Sequence, residues 1–169
     1  NEAYSLNFIT DLQALDATLG TTVSGFPWVV DDITFLERSA LRDIAAIAAK
    51  DLATGKVVAG LPWITFSISQ DEGEALTRLK ELLTQEAAVA KLVAGMPFLT
   101  TSFEINDKNA LISLLQLAAN HPTVLTSITT QAWFIDGLDD QEARFIAVAG
   151  TPQGLEFGPD NLTALILKR

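Results

Sequence analysis

A short motif recurs in this chain at a fixed interval. Gly-Phe-Pro-Trp begins at Gly25, Gly-Leu-Pro-Trp at Gly60 and Gly-Met-Pro-Phe at Gly95, so successive copies are 35 residues apart (60 − 25 and 95 − 60). A fourth copy lacks the glycine and the proline but keeps Trp133, three periods after Trp28. A constant period of this length is typical of stacked helical repeats, in which each unit buries its apolar face against the next. The spacing therefore predicts an all-α, α-solenoid-like fold.

The period also sets the expected domain organisation. We predict one helical repeat domain over residues 1–149. It consists of a partial copy at residues 1–22, followed by copies at residues 23–57, 58–92, 93–127 and 128–149. Beyond it, Leu155-Glu156-Phe157 and the apolar run Leu162 to Leu167 flank Gly158-Pro159-Asp160-Asn161, a pattern typical of strand, turn and strand. Residues 150–169 are expected to form a short β-hairpin or strand. It would be either a cap on the repeats or the start of a truncated downstream domain.

Helix starts are marked by a repeated capping signal. A hydroxyl or carboxyl residue followed three positions later by Glu lets two side chains satisfy the free amides of a helix N-terminus. The pairs are Thr34 with Glu37, Ser69 with Glu72 and, as an Asp variant, Asp139 with Glu142, and the third copy departs from the pattern with Glu104 and Asp107. A long helix is expected to begin at each pair.

The rest of each copy predicts two helices. Ala40, Leu41, Ile44 and Ile47 recur at steps of three or four residues, which places them on one helix face, and the later copies repeat them in register. A polar break then precedes a shorter apolar segment that ends at the next glycine. We predict a helix of about four turns and one of about two per copy. The glycine is expected in the left-handed conformation, with the proline preventing continuation of the helix.

The repeated glycine, proline and aromatic positions are interpreted as structural. A large ring once per repeat fits a plug between successive units better than a ladder for stacking a ligand. These positions are Gly25, Pro27, Trp28, Gly60, Pro62, Trp63, Gly95, Pro97, Phe98 and Trp133. Three other rings, Phe66, Phe103 and Phe134, lie near the repeat junctions and are predicted to be exposed contacts of an interaction surface.

No residue pattern indicates a catalytic centre, a metal or a cofactor. The chain has no cysteine, and its one histidine, His121, lies in an Asn-His-Pro break that reads as a surface turn. Oxygen ligands suit calcium, but the acidic cluster lacks the alternating spacing of a known loop, and helix capping explains it. That cluster comprises Asp136, Asp139, Asp140 and Glu142. A pair of carboxylates that meet only in the folded chain remains open.

The charge balance narrows the class of partner. The formal net charge is −10, which argues against nucleic acid and anionic membrane surfaces because both select basic patches. No apolar run approaches the roughly 18 residues that a membrane span requires. A protein or peptide partner is therefore expected.

Part of the motif resembles a known repeat type. Phe26-Pro27-Trp28, followed by Asp31–Thr34 and Glu37, is similar to the "LPW-x-x-D-G-[IL]-[TD]-x-x-E" helical repeats of exported bacterial proteins, and Trp133–Asp139 with Glu142 carries the same pattern. The resemblance covers residues 1–149 and implies helical repeats in an extracellular or cell-envelope protein. In some such proteins the repeats precede a zinc-peptidase-like domain, whose His-Glu-x-x-His motif is absent from this sequence. Phe66-Ser67-Ile68 replaces the Asp-Asp-Ile of the first copy, which argues against an ion site in every repeat.

These observations favour a non-catalytic scaffold or protein-interaction module within a larger protein. Stacked repeats present an extended face suited to peptides or protein surfaces. Two alternatives stay open. One is an accessory region of a secreted hydrolase or peptidase, with a site built from Asp or Glu where the repeats meet the tail. The other is a structural or surface-assembly protein.

Overall fold

The computed structural model describes residues 2–31, 33–101, 103–135 and 139–149, with only the backbone of residues 2–4. Within these ranges the chain is all-helical and contains no strand, which confirms the predicted all-α class. The β-like tail predicted for residues 150–169 lies outside the described residues. The helices are α1 (Glu2–Leu15), α2 (Ala17–Ser24), α3 (Pro27–Val30), α4 (Phe35–Lys50), α5 (Leu52–Ala59), α6 (Pro62–Phe66), α7 (Gln70–Gln85), α8 (Ala87–Ala94), α9 (Pro97–Thr100), α10 (Ile105–Asn120), α11 (Pro122–Thr129), α12 (Ala132–Ile135) and α13 (Asp140–Ala149).

Each period contains three helices, so the prediction of a two-helix unit is wrong. The long helices α4, α7 and α10 have 16 residues and the shorter helices α2, α5, α8 and α11 have 8, close to the expected turns. A third helix of four or five residues starts at Pro27, Pro62 and Pro97. Proline is favoured at the first position of a helix, where its missing amide has no intrahelical partner. The Gly-x-Pro sequence therefore ends one helix and starts another.

The glycines of this junction are right-handed, which corrects the left-handed prediction. Gly25, Gly60 and Gly95 have φ values of −88°, −89° and −97°. Thr130 holds the same place in the fourth copy with φ −92°. The turn is closed by tight i→i+3 bonds, such as the Phe26 amide to the Val23 carbonyl at 3.2 Å. A residue with a side chain can adopt this geometry, as the fourth copy shows.

The predicted helix caps are present. In each of the three predicted pairs the acid accepts the amide of the capping residue, and the capping side chain accepts the amide of the acid. The two distances are 2.8 and 3.3 Å for Thr34 and Glu37, 2.6 and 3.3 Å for Ser69 and Glu72, and 3.0 and 2.9 Å for Asp139 and Glu142. In the third copy Asp107 Oδ2 accepts the Glu104 amide at 2.6 Å. The long helices therefore begin where local chemistry places them.

The chain forms two compact units, residues 1–80 and residues 81–169, which are described separately. In unit 1, α1 packs against α2 and α4, and α4 packs against α5. The Trp28 ring is buried, and its Nε1 donates to the Ile64 carbonyl at 2.7 Å, which ties α3 to α6. Trp28 therefore links α3 to α6, which belong to successive 35-residue periods.

Two glycines of unit 1 permit helices to touch at the backbone. Gly20 on α2 and Gly55 on α5 occupy the same repeat position, and both are buried. A Cβ at Gly55 would lie 2.5 Å from the Ala48 Cβ and 2.6 Å from the Ala48 Cα. At Gly20 it would meet Gln13 in the same manner, at 2.6 Å from the Gln13 Cα. Glycine is needed here because each short helix lies directly on the preceding long helix.

Unit 2 is built around α10. Helix α13 packs along α10 and also contacts α9, and α11 packs against α10 and α12. The Phe98 ring is fully buried in this unit. Over the described parts of both units, none of the helices is long and apolar enough to cross a membrane.

Candidate functional site

Four large apolar side chains of unit 1 are exposed at the end of α3, at the end of α6 and at the start of α4, and α3 contacts α6. The exposed fractions are 71% for Val30, 75% for Phe35, 39% for Leu36 and 76% for Phe66. Val30 ends α3 and Phe66 ends α6, and each follows the Trp28–Ile64 contact by two residues. Phe35 and Leu36 open α4 only five and six residues after Val30. We call these four residues the apolar patch.

The apolar patch lies in acidic surroundings. The segments that carry it, residues 30–37 and 66–74, contain six acidic residues, and the basic residue nearest to them in sequence is Arg38, directly after Glu37. Asp31, directly after Val30, is exposed. Glu37 and Glu72 are held in the helix caps, so part of this charge is fixed in position. The patch therefore combines exposed apolar area with a negative rim.

The three predicted interaction rings differ in exposure. Phe66 is exposed, Phe103 is half-buried and Phe134 is fully buried. The prediction that Phe134 is an exposed contact is therefore wrong. Phe134 stands on α12 at the repeat position of Ile64 and Leu99, which are also fully buried, and its ring meets Trp133 edge-on at 5.9 Å. This position is therefore a core position in the second, third and fourth copies.

The repeated aromatic position is structural in part. Trp28 and Phe98 are buried, whereas Trp63 and Trp133 are half-buried. The Trp133 Nε1 is itself buried and donates no hydrogen bond, in contrast to Trp28. The ring therefore packs at this position even where its polar group has no acceptor.

Two clefts open between helices of unit 1. One of about 530 Å³ lies between α1 and α4, with Phe8, Leu15 and four alanines on its walls and Asp11 and Arg42 among its lining residues. The other, of about 280 Å³, lies between α2 and α5 beside Lys56. The first contains one carboxylate and the second none. Neither provides the two buried carboxylates that would favour an acid–base enzyme site.

A buried carboxylate, missed by the sequence analysis, lies at the face of α4 turned toward α7. Asp43 is 1% exposed and accepts hydrogen bonds from Thr77 Oγ1 at 2.6 Å, Lys80 Nζ at 2.7 Å and Arg42 Nε at 3.1 Å. Burial opposes its ionisation, but these donors outweigh burial and hold the pKa of Asp43 below its ordinary value. Asp43 therefore links α4 to Thr77 and Lys80 of α7 within unit 1 and has a structural role.

A second buried carboxylate lies in unit 2 and is incompletely satisfied. Asp107 is fully buried at the third position of α10, and only its Oδ2 has a partner, the Glu104 amide. Loss of hydration, together with the negative charges of Asp140 and Glu104, raises the pKa of Asp107 to about 6 against the lowering effects of the Glu104 amide and Arg144. The pattern of long-helix caps gave the position of Asp107 but not its burial.

His121, Asp139 and Glu142 lie at helix ends in the structure. His121 is exposed where α10 ends and α11 begins, as a surface turn residue is expected to be. Asp139 and Glu142 cap α13, and Asp136 lies outside the described residues. Within the described ranges, no group of three or more His, Cys, Asp or Glu side chains is arranged to hold a metal ion.

Comparisons with protein-family models, with curated proteins and with solved structures find no match for this chain. Function is therefore inferred from its own patch, clefts and side-chain clusters.

Proposed function

We propose that this chain is a non-catalytic helical-repeat scaffold that binds a protein partner through the apolar patch. The observation that carries the proposal is the exposure of Phe35 and Phe66, each about three-quarters accessible to solvent. Isolated exposed apolar residues are ordinary on protein surfaces, but a group of large ones marks interaction sites. Aromatic side chains that become buried in an interface often dominate its energy.

The apolar area supplies a large part of the free energy that specific binding needs. Burying a Phe, Val or Leu side chain that was exposed contributes about 1.5–3 kcal/mol. Because the four residues are only partly exposed, together they could supply roughly 4–8 kcal/mol before the costs of association, which commonly consume a large part of such a gain. A dissociation constant in the micromolar range needs a net of about 8 kcal/mol, so additional contacts from charge are required.

The acidic rim identifies the chemistry of the partner. The segments that carry the patch contain six acids, with Arg38 directly after the first segment, and the whole chain carries −10, so a second copy would bring like charges together. A partner segment with two or three apolar anchors and several Lys or Arg residues satisfies both features. We commit to such a basic, amphipathic segment as the occupant.

The repeat architecture gives this proposal its setting. The recurrence of the three-helix unit every 35 residues supports a solenoid-like arrangement, and the Trp28 motif supports a relationship to the helical repeats of exported bacterial proteins. In this setting the chain would act as a binding region of a larger extracellular or cell-envelope protein.

Two synthetic helical peptides of about 18 residues test the proposal, one with a Leu/Lys pattern and one with a Leu/Glu pattern on the same apolar face. We expect the Leu/Lys peptide alone to bind in fluorescence anisotropy. The change Phe66→Ser should weaken it about tenfold, because an anchor worth about 1.4 kcal/mol or more is lost. Leu6→Ser is the matched control, since Leu6 is 61% exposed on α1 outside the patch.

Three outcomes would overturn the proposal: no binding of either peptide, equal binding of both, or equal losses from the Phe66 and Leu6 substitutions. Concentration-dependent self-association that Phe66→Ser abolishes would also overturn it, because the occupant would then be a second copy of the chain.

A further inference from the structure

One of the four acidic residues at the third position of the helix starts differs from the others in its burial. Glu37, Glu72 and Glu142 accept the amide of the capping residue three positions earlier, and all three remain half-exposed. Asp107 performs the same task in the third copy but is fully buried. Its side chain is one methylene shorter than that of the glutamates, and α13 packs along the helix that carries it.

The burial leaves half of the carboxyl group without compensation. Oδ2 accepts the Glu104 amide at 2.6 Å, whereas Oδ1 is buried and has no hydrogen-bond partner. A buried oxygen without a donor is costly, and the cost is greatest when the group carries a charge. A protonated carboxyl group has a smaller penalty and supplies an O–H donor of its own.

The charges around Asp107 act in the same direction. Helix α13, which packs along α10, brings Asp140 and Arg144 near it, and Glu104 stands at the start of its own helix. Arg144 is the one cation among these groups, and its Nη2 lies 3.2 Å from Glu104 Oε2, which shares its charge. Ionised Asp107 is therefore repelled by two carboxylates and attracted by one guanidinium that is already paired with Glu104.

We propose that Asp107 is a proton-sensitive latch between α10 and α13, which protonation in mildly acidic surroundings tightens and ionisation near neutrality weakens. Its effect falls on α13 because Asp140, the first residue of that helix, is the repelled group on the partner element.

The direction of the pH dependence follows from linkage. The folded chain holds the Asp107 proton up to about pH 6, whereas the unfolded chain releases it near 3.8, so the folded state binds more protons between these values. Stability therefore falls as the pH rises from about 4 to about 6 and is then constant as far as this group is concerned. The ratio of folded to unfolded unit 2 is expected to fall about a hundredfold over that interval through this group.

The test uses the full chain and two independent readouts. Carbon-detected NMR follows the Asp107 carboxyl group and the Glu104 amide that it accepts, and urea unfolding is measured between about pH 4.5 and pH 7.5. The Asp107 carboxyl signal and the Glu104 amide signal should both titrate near pH 6. Asp107→Asn, which resembles the protonated form, should be more stable than the wild type at pH 7.5 and should lose the fall between pH 4.5 and pH 6.

Two further variants separate the latch from other effects. Asp107→Glu restores the side chain found at this position in the other copies, so it should keep the cap and remove the pH dependence. His121→Gln removes the one histidine, the residue type that ordinarily changes charge in this pH range, and should leave the dependence intact. Titration of the Asp107 carboxyl group below about pH 4.5 would overturn the proposal. So would an Asp107→Asn variant whose stability follows the wild type at every pH, and if that variant fails to fold, the wild-type titration and Asp107→Glu still decide.

Discussion

The close approach of α5 to α4 makes Gly55 the position where the smallest possible side chain should do the most damage. Gly55→Ala adds one methyl group, which in the present geometry would lie 2.6 Å from the Ala48 Cα and 3.1 Å from the Ala48 nitrogen. Carbon atoms in contact normally stand about 3.5–4.0 Å apart. Because the obstructing atoms belong to the backbone of α4, the helices must separate by about 1 Å to accept the methyl group.

Two opposing effects set the magnitude. Alanine is better than glycine in a helix interior by about 1 kcal/mol, which favours the variant. Overpacking a tight contact costs about 1–3 kcal/mol, and separating the helices also loosens Val58 and Ala59 of α5, which are buried almost completely. The steric effect is expected to win, with a net loss of about 1–2 kcal/mol in the free energy of unfolding of unit 1.

Urea unfolding followed by tryptophan fluorescence measures the loss, and two glycines of the same chain serve as controls. A Cβ at Gly73, inside α7, would meet only Ile68 Cγ2 at 3.7 Å, an ordinary contact, so Gly73→Ala should stabilise by up to about 1 kcal/mol. A Cβ at Gly95 would have no atom within 4 Å, so Gly95→Ala should change stability by less than about 0.5 kcal/mol. A Gly55→Ala variant as stable as the wild type would refute the helix contact described here.

Three further substitutions probe the buried polar groups. Trp28→Phe leaves the Ile64 carbonyl without its donor and a gap beside it, so a loss of about 2–3 kcal/mol is expected in urea unfolding. Trp133→Phe should cost at least about 1 kcal/mol less, because its Nε1 donates to no acceptor, and equal losses would contradict this reasoning. Lys80→Met should cost about 2–3 kcal/mol at neutral pH, since Asp43 is then buried without its ammonium partner. The lowered pKa of Asp43 means that this contribution is present above about 3.8 and is lost as the pH falls below that value, so the wild type and the variant should converge in stability in acid. A deficit unchanged by acid would show that charge is not its cause.

The sequence predicted well those features of the fold that depend on neighbouring residues, above all the starts of the long helices. The pairs Thr34 with Glu37 and Ser69 with Glu72 located the starts of α4 and α7, because a capping box involves only neighbouring residues. The period of 35 residues likewise located the long and short helices. The helices that start at Pro27, Pro62 and Pro97 were missed because four residues are too few to show a helical period, and proline was interpreted only as a stop.

Residues whose position depends on packing between helices were harder to predict from the sequence. Phe134 was predicted to be exposed, yet comparison with the apolar residues one and two periods earlier, Leu99 and Ile64, would have indicated a core position. The Asp43 cluster carried a similar signal, since Thr77 and Lys80 follow it by 34 and 37 residues, close to one period. The burial of Asp107 had no such signal, because it depends on how α10 and α13 meet.

The most direct test of the proposed binding role is an amide NMR map of the chain during titration with the Leu/Lys peptide. If the apolar patch is the docking surface, the largest shifts will appear at Val30, Phe35, Leu36 and Phe66, and they will vanish in the Phe66→Ser variant. Shifts centred on Leu6 and the rest of α1, or uniform small shifts across the acidic surface, would contradict a docking role for the patch.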